Sequence, residues 1–152
     1  MNRHVLLVAA VVATLGAGLA PPAQSAVRRG TFAGKTTAGQ PVGFKVDRRG
    51  RVYAFSFDKI TLSCTDGDTV DTPRIVTPSK VKFPVRKRHF GITARNKDTG
   101  FGWDAAGTFR KTGRRAGGTL KIFASFNADD KQDPNGSVRC ESAELTWSAS
   151  RA

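Results

Sequence analysis

The sequence predicts an all-β chain: one antiparallel β-sandwich or β-barrel of about seven to nine short strands, tied by one disulfide. Three observations predict it. Apolar and polar residues alternate with a period of two through most segments beyond residue 40. Sixteen Gly and seven Pro punctuate the 152 residues. Beyond the N-terminus no stretch repeats apolar residues at helical spacing.

The first segment reads as an address. Arg3 and His4 precede the unbroken apolar run Val5 to Ala13, which continues to Ala20 and stops at Pro21-Pro22. Ala23 and Ser25 offer the small residues that a signal peptidase inspects, so residues 1–25 are expected to be a cleaved secretory signal and 26–152 a single secreted β domain. The run is shorter than the roughly 20 apolar residues that a membrane span needs, and no second one follows. No transmembrane anchor is expected in the mature chain, and the expected location is extracellular.

The strands follow in order. Val42, Phe44 and Val46 alternate with polar or small neighbours, and Asp47-Arg48-Arg49-Gly50 makes a turn. Tyr53, Phe55 and Phe57 are expected on one face, with Val52, Ala54 and Ser56 on the other. Ile60, Leu62 and Cys64 continue that strand past a bulge expected near Asp58-Lys59. Val81, Phe83 and Val85 form the next alternation, then Phe90, Ile92 and Ala94, then Leu120, Ile122 and Ala124, and last Ala143, Leu145, Trp147 and Ala149.

Export places Cys64 and Cys140, the only cysteines, in an oxidising compartment, so they are expected to pair. The acidic segments Thr65 to Thr72 and Asn127 to Ser137 each flank one of them, and the bridge is expected to draw these loops together. Asp66, Asp68 and Asp71 with Asp129, Asp130, Asp133 and Asn135 are therefore weak calcium candidates, although Asp and Asn are equally at home in plain turns. No other metal and no cofactor is expected.

Gly30-Thr31-Phe32-Ala33-Gly34-Lys35-Thr36, Val42-Gly43-Phe44-Lys45-Val46, a mid-chain Cys64, Gly107-Thr108-Phe109, Gly117-Gly118-Thr119-Leu120 and a terminal Cys140-x-Ser142 before Trp147-x-Ala149 run through most of the mature chain. In this layout it resembles a set of small secreted β-domain proteins of high-GC Gram-positive bacteria that are uncharacterised and have no assigned activity. Ala143 stands where their pattern has Gly. The resemblance implies a fold and a compartment, and no reaction.

The formal charge of +13 is the compositional outlier. Lys80, Lys82, Arg86, Lys87, Arg88, Arg95 and Lys97 occupy one stretch without an acid. If residues 80–85 and 90–95 form a hairpin through 86–88, these side chains share a cationic face able to meet an anionic cell-envelope polymer or an extracellular polysaccharide. Lys and Pro84 equally suit an edge strand guarded against pairing with another chain. Intracellular nucleic acid is excluded by the expected export. Tyr53, Phe101 and Trp103 are candidates for a carbohydrate or peptide platform, against the usual place of strand aromatics in a core.

Catalytic signatures are lacking in the sequence. His89, the one mature imidazole, follows Arg86-Lys87-Arg88, whose charges oppose the imidazolium that a general base must form. Glu141 and Glu144 lie three apart, on opposite faces of a regular strand, and cannot flank one glycosidic bond. The expected function is a non-catalytic secreted binding protein. A secreted hydrolase acting on polysaccharide, or an inhibitor or effector of another secreted protein, are the alternatives.

Overall fold

The computed structural model describes residues 27–152; the expected signal, residues 1–25, lies outside them. Twelve strands form one antiparallel sheet: β1 (Gly30–Thr36), β2 (Pro41–Val46), β3 (Val52–Phe57), β4 (Thr61–Cys64), β5 (Thr69–Asp71), β6 (Ile75–Val76), β7 (Lys82–Phe83), β8 (His89–Arg95), β9 (Gly102–Phe109), β10 (Arg115–Phe126), β11 (Val138–Glu141) and β12 (Leu145–Arg151). The all-β antiparallel expectation holds. The strand count exceeds the expected range because β4, β5, β6, β7 and β11 are pieces of two to four residues.

The long strands run in the order β8-β9-β10-β12-β1-β2-β3, with β6 and β7 on the free edge of β3. β10, at 12 residues, pairs β9 along one side and β12, then β11, along the other. The sheet rolls on itself without closing. Its alternate residues point inward and build a single core. Phe32, Phe44, Phe55 and Trp103 stack in series, with centroids 4.8, 6.0 and 5.6 Å apart. The last of these contacts joins β3 to β9, which have four strands between them along the sheet, so only a rolled sheet can make it. Phe90 and Trp147 meet Phe44 edge-on or tilted from two further strands.

Two local features differ from the sequence expectation. In β3 the inward residues are Val52, Phe55 and Phe57, and Tyr53 faces out. The reason is a bulge at Ala54, whose φ is 49°, where the β2 register shifts between Gly43 and Lys45. Near Asp58-Lys59 the chain does not bulge but breaks: Lys59 has φ 50°, β3 stops at Phe57 and β4 starts at Thr61. β4 and β5 then form a hairpin attached to the sheet only through β11.

Cys64 and Cys140 are directly opposite across β4 and β11 and are disulfide-bonded, 76 positions apart in the sequence. The bond bridges a pairing of only two register pairs, as short as those of β3 with β6 and with β7, and Cys140 is fully buried. Among the described residues no helix is long and apolar enough to cross a membrane.

Candidate functional site

Strand direction decides which turns share an end of the roll. β1 starts and β2 finishes at one end, since Gly30 faces Val46. β12 finishes there too, with Arg151 opposite Phe32, and so β10 begins there and β9 ends there. β8 starts at the same end, with His89 opposite Thr108, and β7 lies against Val52 at the start of β3.

Five separate segments therefore converge. They are the N-terminal Arg28 and Arg29, the β2–β3 turn with Arg48, Arg49 and Arg51, and the turn before β8 with Arg86, Lys87 and Arg88. The β9–β10 turn brings Arg110, Lys111, Arg114 and Arg115, and the C-terminus brings Arg151. Backbone bonds lock several of them together: Arg28 N–H donates to Gly113 O, Arg151 N–H to Arg114 O and Phe109 N–H to Arg88 O.

Those thirteen cations share their segments with one acid, Asp47. Across the rest of the described chain eleven Lys and Arg face eleven Asp and Glu. The whole excess charge of the domain thus stands at one end, and the other half is neutral. Asp47 organises its own turn. Its carboxylate accepts from the Arg49 and Arg51 backbone N–H groups and pairs with the Arg51 guanidinium at 2.8 Å. Burial raises the Asp47 carboxyl, but these hydrogen bonds and the Arg51 charge outweigh it and hold the group at about 2. Among the described residues the other twelve cations have no carboxylate within ion-pair distance.

The tip before β8 is backbone-strained. Arg86 and His89 exchange both backbone hydrogen bonds around a two-residue loop, so Lys87 and Arg88 adopt φ 48° and 72°. Such a loop ordinarily takes Asn-Gly.

The stretch 80–97 is not one face. Its hairpin is confined to the turn, because Lys82 and Phe83 pair with β3 and not with β8. Arg86, Lys87 and Arg88 reach the basic end, and Lys82 borders it beside the β2–β3 turn. Lys80 is exposed on the loop before β7. Lys82 sits 3.6 Å from Asp47 and 5.3 Å from the centre of the Tyr53 ring. Arg95 and Lys97 lie at the far end of β8, roughly 20 Å along the strand.

Arg95 is moreover committed. It bonds Asp104 at 2.8 Å, lies 4.2 Å from the centre of the Phe123 ring and donates to the Ala94 and Trp103 carbonyls. Lys121 and Glu141, 2.7 Å apart, extend this alternation of charge across β8, β9, β10 and β11. The Arg95 hydrogen bond holds Asp104 below the usual carboxylate range, and the Glu141 hydrogen bond raises Lys121.

The aromatic platform is not assembled. Trp103 is buried in the core, because its strand turns that face inward. Tyr53 stands half-buried on β3 beneath Lys82. Phe101 lines a shallow depression of about 200 Å³ at the other end, with Ala94, Arg95 and Asn96.

The acidic candidates serve their turns: Asp66 accepts from Asp68 N–H, Asp71 from Thr61, and Asp133 from Asn135 N–H. Asn127 accepts from Asp129 N–H, and Asp130 takes φ 57°. Among the described residues no group of three or more His, Cys, Asp and Glu side chains is arranged to hold a metal ion. His89 is exposed and its Nδ1 meets Thr108 at 2.7 Å. Glu144 lies in the link after β11, outside any strand, and so does not share one with Glu141.

The cations of the four other segments escape the sequence reading because they are spread over more than 120 residues. A signal was present. Asp-Arg-Arg-Gly-Arg, Arg-Lys-Arg-His and Arg-Lys-Thr-Gly-Arg-Arg are all turns, and in an up-and-down sheet alternate turns share an end. Comparison of the chain with protein-family models, curated proteins and solved structures finds no match.

Proposed function

We propose that this chain is an exported, non-catalytic binding protein that meets an anionic polymer of the cell envelope through the basic end of its roll. The observation that carries the reading is the segregation of charge: the domain's whole excess of cations stands at one end, and all of them but Arg51 lack a carboxylate partner among the described residues. Side chains so arranged repel one another, and a polyanion relieves that repulsion while releasing its own counterions. Turns on a fixed sheet hold the cations in place before the ligand arrives, which lowers the ordering cost of binding. The disulfide suits an oxidising setting, in keeping with residues 1–25 as an export signal and with the resemblance to secreted β-domain proteins.

The test is retention of the purified protein on isolated cell wall across a salt series. With six cations engaged, log affinity should fall with log salt at a slope of about −4, taking about 0.7 per phosphate on a single-stranded polyanion. Replacing Arg48, Arg49, Arg114 and Arg115 by Glu should abolish retention, whereas Lys97→Glu with Lys131→Glu should leave it in place. Absence of retention at low salt, or equal loss in both variants, sinks the reading.

A further inference from the structure

The kind of cation differs between the two halves. Eleven of the thirteen in the five converging segments are Arg, and eight of the other eleven are Lys, of which Lys82 borders the basic end. A compositional preference for Arg would act on both sets, and a demand for positive charge alone would be met by Lys. What separates the residues is geometry. A guanidinium is planar, permanently charged and presents paired N–H donors to two oxygens at once, whereas an ammonium is a strongly hydrated point charge. Lys predominates where cations and acids are equal in number, and Arg predominates where the turns gather an excess of positive charge.

The same segments contain no Phe, Tyr or Trp, and among the described residues the exposed large apolar side chains are Val76 and Val81. A site for nucleobases would offer rings for stacking. This one offers forks.

Resting on the proposed function, we infer that the basic end recognises the phosphodiester groups of a base-free polymer through bidentate arginine contacts. Several forks, carried by turns from neighbouring strands, engage successive phosphates of one chain. Phosphodiesters are strong acids and stay ionised in mild acid, so recognition persists there. Arg48, Arg49, Arg114 and Arg115, all exposed, are the contact residues the test addresses.

The experiment measures binding of the purified protein to poly(glycerol phosphate), to polygalacturonate of matched charge density and to single-stranded DNA. A variant with those four Arg changed to Lys retains the charge, and one with the four changed to Gln removes it. Thermal melts verify that both fold. Wild type should prefer poly(glycerol phosphate) to polygalacturonate by about tenfold, and the Lys variant should lose about tenfold on poly(glycerol phosphate) with its salt slope unchanged. The Gln variant should lose affinity for all three polymers and flatten the slope.

A Lys variant that binds like wild type overturns the fork, while the broader reading survives on the Gln result. Equal or tighter binding to polygalacturonate overturns the phosphate assignment, and tighter binding to DNA overturns the base-free one. If wild type binds none of the three at low salt, the proposed function fails with the inference.

Discussion

Replacing Lys87 and Arg88 by Asn and Gly should make the protein more stable and a weaker binder. The two residues hold φ 48° and 72° in a loop whose flanking residues, Arg86 and His89, exchange both backbone hydrogen bonds. A left-handed conformation costs an ordinary residue about 1–2 kcal/mol, and Asn and Gly adopt it with less penalty. Gly returns about 0.5–1 kcal/mol of that through its freer unfolded chain. The net expectation is a gain of about 1–2 kcal/mol, or about 3–6 °C in a domain of this length.

Removing two cations from the basic end also relieves repulsion, worth about 0.4 kcal/mol per pair at ~10 Å in water. That part is screened by salt, whereas the backbone part is not. Thermal melts of wild type, the Asn-Gly variant and a Gln-Gln variant, each in low salt and in 1 M salt, separate the two. Gln-Gln should gain only at low salt, and Asn-Gly should keep its lead in 1 M salt. Retention on cell wall should weaken in both. If the Asn-Gly variant melts no higher than Gln-Gln in 1 M salt, the turn holds no strain that Gly can relieve, and the argument from its φ values is wrong.

Reduction of Cys64–Cys140, or its replacement by two Ala, should cost up to about 4 kcal/mol, because the loop it closes spans 76 residues. Chemical denaturation with and without reductant should record this loss, with the β signature of the folded baseline unchanged. Asp47→Asn should change the acid limb of stability: the Asp47 carboxyl sits near 2 in the fold, so its contribution is complete above an unfolded value near 4 and is lost as pH falls through about 2. Melts across pH 2–5 should show wild type losing stability over that window and Asp47→Asn losing less. At Gly107 a Cβ would collide with the Phe90 ring and crowd Trp147, so Gly107→Ala should destabilise by about 1–3 kcal/mol. Gly91→Ala, on the open outer face with nothing within 4 Å, should be neutral or slightly stabilising in the same melts.

Fold class was legible in the residues because burial on a rolled sheet imposes a period of two, and that period is written locally in Val42, Phe44 and Val46 or in Leu120, Ile122 and Ala124. The disulfide was legible for a simpler reason, since the chain has two cysteines and one way to pair them. The inversion of Tyr53 and Val52 was not, because a bulge at Ala54 reverses the faces with no Gly or Pro to announce it. Trp103 was ambiguous on the same ground: alternation says which residues share a face, and the curl of the sheet decides which face is inside. The basic end lay furthest from local reading. Arg86 to Arg88 stood out as a run, but Arg28, Arg48, Arg110, Arg114 and Arg151 become its neighbours only through strand pairing. The sequence alone determined how many charges the domain carries. Tertiary structure decided that the excess stands together, because charge is a property of residues and proximity is a property of the sheet's direction and register.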